Sequence, residues 1–260
     1  MRNLQSAIRV ECLKVVRSKM FLITILFFSF ITIILSLMML ILKDPELARN
    51  IGLLGAKAQL IGEADWPSYF AILAQALAIG GLVGFGFIAS WLFGREFSDD
   101  TAKDLLALPV SRSTIVLAKF IVMFLWTMLL FLTVMGIGLI SGAIIGIEGW
   151  SRQLFYQAFK RLAACSLLVM AGSTPVAFFA SYGQGYLMPM GYVVFTVVFS
   201  QIAAVLGHGA YIPWAVPALY SGAAGEELAH IGIFSFLIVF ITAIIGILIN
   251  VLWWRYADHS

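Results

Sequence analysis

The sequence has little charge. Asp, Glu, Lys and Arg together make 11% of its 260 residues, against about 25% in an ordinary soluble domain, while hydrophobic residues make 62%. So few ionic side chains exclude a water-soluble globule of this length. Cysteine is scarce: Cys12 precedes the first apolar run and Cys165 lies in the fourth. That spacing leaves no expected disulfide and no thiolate metal site. Three scattered histidines argue equally against a catalytic metal. No Gly-x-x-x-x-Gly-Lys-Ser/Thr loop occurs, so the chain is not expected to hydrolyse ATP alone. No Gly-x-Ser-x-Gly elbow is present to turn Ser173, with His208 or His230, into a hydrolase. The apolar runs offer no obvious proton relay or ion-binding carboxylate, because they are expected to lack strongly charged residues. Nothing points to nucleic acid.

What is present is apolar sequence in blocks of about 20 residues, the length that crosses a hydrocarbon core of about 30 Å. Backbone groups in lipid must be satisfied internally, so each block is expected to be a helix. Six spans follow: Phe21–Leu42, Tyr69–Phe93, Thr114–Ile147, Leu162–Ala180, Leu187–Leu206 and Ile231–Trp254. The first exceeds an ordinary signal-peptide core and is expected to remain. An even count puts both termini on one side. The Lys/Arg tally puts that side inside. Arg2, Arg9, Lys14, Arg17, Lys19, Arg95, Lys103, Arg112, Lys119 and Arg255 face inward, ten of the 16. Lys43, Arg49, Lys57, Arg152, Lys160 and Arg161 face outward.

Residues 1–19 read as an amphipathic interfacial helix. Leu4, Ala7, Ile8, Cys12, Val15 and Val16 share a broad face opposite Ser6, Arg9 and Arg17, with Glu11 anomalous on the apolar side. Between the second and third spans, Ser98 or Asp99 can cap a short helix that Pro109 ends. Its Leu105, Leu106 and Leu108 oppose Asp99, Asp100, Lys103 and Asp104. An anionic first turn is repelled by an anionic leaflet, so a protein partner explains both faces better than lipid does. Residues 207–228, with Pro213 and Pro217 in an apolar setting, read as an outer re-entrant or interfacial segment shielded by protein. The outer loop from Lys43 to Pro67 offers a further short interfacial helix. Gly80/Gly84 and Gly138/Gly142/Gly146 have the small-xxx-small spacing of close helix packing. Pro175 is expected to bend the fourth span. Gln75, Gln201 and Asn250 are the main polar side chains inside the spans and the candidates for lining a pathway.

Several stretches together resemble the permeases of type-2 ABC exporters, the ABC-2 family, and especially its bacitracin-resistance and lantibiotic-immunity branch. They are Glu11–Phe21; Arg95-Glu96, Asp100-Thr101, Leu105-Leu106 and Pro109–Arg112 with Lys119; Gly185-Tyr186-Leu187; and Tyr211–Pro217. The family often has Gly-Thr where this chain has Asp100-Thr101. The resemblance implies an all-α membrane protein of one permease domain, residues 1–260. It would have six transmembrane helices, the interfacial arm at 1–19, a cytoplasmic coupling helix at 97–108 and an outer re-entrant hairpin at 207–228. It implies two permease copies, identical or mixed, in a bacterial plasma membrane with both termini cytoplasmic. Two separate ATPase subunits would bind ATP and Mg, with no cofactor on this chain. Carried over, Glu96, Asp99, Asp100, Thr101, Lys103, Asp104, Leu105 and Leu106 would couple to the ATPase, and Glu11, Lys14 and Arg17 would belong to the arm. The expected activity is ATP-driven export of an amphipathic cargo such as a peptide antibiotic or lipid. Two rivals are an ATP-independent secondary transporter, which predicts intramembrane charges or matched broken helices, and a non-transporting immunity or scaffold protein. The second leaves the charged inner helix without a purpose.

Overall fold

The computed structural model describes residues 2–44, 64–99, 101, 110–223 and 231–256. Among these the chain is helical. α1 is Arg2–Val16, α2 Lys19–Lys43, α3 Trp66–Ser98, α4 Arg112–Ile145, α5 Arg152–Tyr182, α6 Leu187–Val205, α7 Val216–Ser221 and α8 Ile233–Tyr256, with a 3-10 turn at Gly209–Tyr211. Six of them (α2 to α6 and α8) are long and apolar enough to cross a membrane, so the chain is a multi-pass membrane protein.

Side-chain caps set where the helices start. Ser18, Asp65, Ser111 and Ser151 accept hydrogen bonds from the N–H groups of Phe21, Ser68, Thr114 and Leu154, satisfying amides that the first turn leaves unpaired. Gly146, in the left-handed conformation at φ 68°, closes α4. Lys43 Nζ donates to the carbonyls of Ile145 and Gly146 at 2.8 and 2.9 Å, neutralising the negative end of that helix.

α3 (33 residues), α4 (34) and α5 (31) run about 46–51 Å at 1.5 Å per residue, well beyond a core of about 30 Å. α3 packs most extensively on α5, and α5 in turn on α8. Of the paired glycines, Gly84, Gly138 and Gly142 do pack closely, against Phe28, Leu73 and Trp66. A Cβ on Gly142 would lie 2.5 Å from the Trp66 ring, whereas Gly80 faces open space and Gly146 serves as the cap. α5 continues through Pro175. The proline removes the donor that would reach the Ala171 carbonyl, and the Thr174 hydroxyl donates to that carbonyl instead, at 2.8 Å. Gly246 of α8 seats against this point, where a Cβ would meet Pro175 N at 2.8 Å.

Three hydroxyls tie α2, α3 and α4 together inside the apolar region. Tyr69 Oη lies 2.6 Å from Ser36 Oγ and 2.9 Å from Ser141 Oγ, and the two serines are 2.8 Å apart. Ser36 also donates to Thr32 O and Ser141 to Ile137 O, which leaves the Tyr69 proton to be shared between the two serine oxygens.

The segment after α6 folds back onto α5. Trp214 Nε1 donates to Gly172 O at 3.0 Å, and Ala215, Val216 and Leu219 are buried. Residues 224–228 of the expected 207–228 hairpin, and residues 45–63 of the loop expected to hold an interfacial helix, lie outside the described residues.

Candidate functional site

α1 does not simply lie beneath the bundle; an ionic cluster pins it there. Glu11 (α1), Glu96 (α3) and Lys119 (α4) are buried to 4, 4 and 0% exposure, and Lys14 of α1 joins them. Lys119 Nζ donates to Glu96 Oε1 at 2.7 Å, to the Leu92 carbonyl at 2.7 Å and to Glu11 Oε2 at 3.2 Å. Lys14 Nζ donates to Glu11 Oε1 at 2.7 Å and to Glu96 Oε1 at 3.2 Å. Two carboxylates and two ammonium groups sum to zero, so the cluster carries no net charge to be desolvated, and each ion meets two of opposite sign. Burial pulls the Lys14 ammonium down, but Glu11 and Glu96 outweigh it and hold the group above its ordinary value.

Local sequence explains each placement. Glu11 occupies the apolar side of α1, in line with the inward-facing Ile8, Cys12 and Val15, because its partners are inside. Lys119 follows buried Ile115 and Val116 and precedes buried Val122 and Met123, the spacing of one helix face. Its Nζ also sits 5.8 Å from the Phe93 ring centroid. Glu96 lies in the last turn of α3, three residues before the connection to α4 begins.

Four sequence expectations change. The apolar spans are not free of strong charge: Lys119 is buried in the second turn of α4, stabilised by its carboxylate partners. The expected coupling helix at 97–108 does not begin at Phe97, because Phe97 and Ser98 complete α3. Asp99 closes that helix rather than opening another: its N–H donates to Arg95 O at 2.8 Å and its carboxylate accepts from Arg95 Nε at 3.1 Å. Val16 is 61% exposed and does not share the buried face of the arm.

Thr101 N–H donates to Glu96 O at 2.9 Å, folding the chain back over the end of α3. Asp100, Lys103, Asp104, Leu105 and Leu106 lie outside the described residues. Arg17 is exposed and takes no part in the cluster.

The three pathway candidates are not brought together. Gln75 is half-buried in α3. Gln201 borders a cavity of about 190 Å³ between α6 and α7. Asn250 is fully buried in α8 at the other end of the bundle, where Ser181 Oγ donates to its Oδ1 at 3.2 Å and Trp254 Nε1 donates to Ser181 Oγ at 2.9 Å. Ser173 donates to the Val169 carbonyl, and the His208 ring lies against Leu206 O, so the two form no catalytic pair.

Lys119 is the residue whose weight sequence reasoning missed, counting it among the inward-facing cations and the stretches that resemble the family but giving it no role. The signal was there in two halves: a carboxylate on the apolar face of the arm, and a lysine in phase with the buried face of an apolar helix. Each anomaly is costly alone, and each supplies the other's missing partner.

Residues 7–203 match the family model described as ABC-2 family transporter protein. Over 182 residues the chain is 28% identical to the bacitracin transport permease protein BCRB of Bacillus licheniformis, an alignment covering 68% of this chain and 85% of that protein. All four cluster residues fall within the matched span.

Proposed function

The chain belongs to the ABC-2 family of transporter proteins, and from that premise we propose that it is the membrane permease subunit of an ATP-driven exporter. Its work stroke comes from a separate ATPase chain that binds ATP and Mg; two ATPase subunits serve two permease copies. The cargo is amphipathic, and a peptide antibiotic is the leading class, because the similar protein from B. licheniformis is a bacitracin transport permease. Transport is outward from a bacterial plasma membrane, with both termini cytoplasmic.

The observation that carries this reading is the ionic cluster. The connection 99–111 is the longest break between spans at the end where both termini lie, and its proximal root is Glu96. Through Glu96 that root is bonded to α4 (Lys119) and α1 (Lys14) at once. A partner docked on the connection therefore moves three helices as one body, which is what transmission of an ATPase stroke requires. ATP binding on the partner then favours one arrangement of the permease pair and hydrolysis resets it, a shift driven by differential affinity.

Co-purification from the native membrane, followed by ATP hydrolysis in lipid nanodiscs, tests the proposal. One ATPase chain per permease, with hydrolysis stimulated by cargo, is expected. Replacing Leu105 and Leu106 with Asp is expected to abolish stimulation or release the ATPase. A permease that purifies without an ATPase and moves cargo unaided refutes it.

A further inference from the structure

At the end of the bundle opposite the termini, α3, α5 and α7 enclose a pocket of about 440 Å³, within the usual range for small-ligand sites. Its floor and walls are apolar: Pro67, Phe70 and Ala71 of α3, Leu154 and Ala158 of α5, and Tyr220 of α7. Its polar groups are Gln157, Lys160 and Arg161. Lys160 and Arg161 follow Gln157 by three and four residues, so the three share one face of α5. Among the described residues no carboxylate lies within ion-pair distance of Lys160 or Arg161. The contrast with the other end of the molecule is sharp, because there two lysines are matched by two glutamates.

Depth supplies the second observation. The run Leu162–Tyr182 that follows is free of charge and spans about 31 Å at 1.5 Å per residue, one hydrocarbon thickness. The two cations therefore stand at the boundary of that core, the level of lipid phosphates. Arg161 also reaches across to the α7 side, where a Cβ on Gly222 would lie 3.9 Å from its Nη2.

We propose that this pocket binds the phosphate headgroup of an anionic membrane lipid. The Arg161 guanidinium forks onto two phosphate oxygens, Lys160 supplies a point charge and Gln157 an amide donor. The acyl chains run down the apolar wall toward the bundle. The site needs no ATPase and no cargo, so it stands or falls apart from the transport reading.

The test is native mass spectrometry of the full chain in neutral detergent, titrated with phosphatidylglycerol. One saturable phosphatidylglycerol per chain is expected, weakened by salt, with phosphatidylcholine binding far less well. Replacing both cations (K160Q with R161Q) is expected to weaken binding by about 30-fold, from roughly fivefold per cation. Arg161→Lys, which keeps the charge but not the fork, is expected to weaken binding by less than the double variant does, and replacing Arg9 and Arg17 with Gln at the other end to leave it unchanged. Equal binding of phosphatidylglycerol and phosphatidylcholine by the unmodified chain overturns the proposal without need of any variant, and so does full retention by the double variant. Displacement of the lipid by millimolar inorganic phosphate assigns the pocket to free phosphate and overturns the lipid assignment.

Discussion

Replacing Lys119 with Met is the most direct challenge to the ionic cluster. Methionine keeps the length and the apolar stem of lysine and removes only the ammonium. Three donated hydrogen bonds disappear, to Glu96 Oε1, Leu92 O and Glu11 Oε2. Two buried carboxylates are then left to share Lys14 alone, and the cluster passes from neutral to a net charge of −1. Removing one partner from a buried ion pair costs about 3–5 kcal/mol. For a chain of this size that corresponds to a fall in Tm of roughly 6–20 °C, taking 2–4 °C per kcal/mol. Thermal unfolding of the purified protein, followed by loss of monodisperse elution, measures it. The companion variant is Glu96→Gln, alone and combined with Lys119→Met. Removing a carboxylate along with the ammonium restores charge balance, so the double variant is expected to be more stable than Lys119→Met alone, a coupling of at least about 1 kcal/mol. A Tm for Lys119→Met within 2 °C of the unmodified protein, or strictly additive effects, would refute the reasoning, because the cluster would then be a surface contact worth little.

The other predictions concern the arm and the helix seams. Cys12 is held above its ordinary thiol pKa by burial and then by the neighbouring Glu11 carboxylate, so at pH 8 it carries less thiolate. In a Cys165→Ser background its alkylation is expected to be slower than that of free cysteine, and Glu11→Gln to speed it only in part; a rate equal to that of free thiol refutes this. Lys14 is held above the ordinary lysine value of 10.5 by Glu11 and Glu96, which outweigh its burial. Its stabilising contribution is therefore fully present below that value and lost as pH rises through the higher folded one. Tm measured from pH 7 to 11 should show no Lys14-dependent loss below about pH 10, and a loss centred near pH 9 contradicts the pairing. Gly246→Ala places a Cβ within 2.7–2.9 Å of Thr174 and the Pro175 backbone, which costs about 1–3 kcal/mol by overpacking. Gly136→Ala, with nothing within 4 Å, is expected to be neutral or to stabilise by about 0.5–1 kcal/mol. Equal Tm changes for the two would remove the close seam from the account.

Hydropathy located the spans because apolar length is a local property, and it misplaced their ends where a charge is matched by something distant or where the helix runs on beyond the hydrocarbon core. The second span read as ending at Phe93, yet α3 runs on to Ser98, since Glu96 is matched by Lys14 and Lys119 and so does not demand water. The fourth read as starting at Leu162, where Lys160 and Arg161 interrupt the apolar run, but Ser151 caps the helix well before that point. Glu11 stood out in the sequence as a carboxylate on the wrong face of an amphipathic helix, and only its partners were hidden. Lys14 lies one turn along the same helix, but Lys119 sits on α4, a relation that no window of periodicity contains. Gln201 and Asn250 looked alike as lone polar residues in apolar runs, but their separation along the bundle is a matter of packing that sequence alone does not encode.

The Glu11–Lys119 bond joins residues 108 apart in the chain, which gives α1 a place in the order of synthesis. At about 5–20 residues per second of translation, roughly 5–20 s pass between the making of Glu11 and the making of Lys119. During that interval Glu11 has only Lys14 of its own helix, and even once Glu96 is made the arm lacks the buried ammonium of α4. The first helix to be made is thus among the last to lock, and it locks only once α4 has been inserted. A nascent chain halted after α3 is expected to leave Cys12 freely alkylated, and one halted after α4 to protect it; equal labelling of the two would show that the arm docks without its lysine.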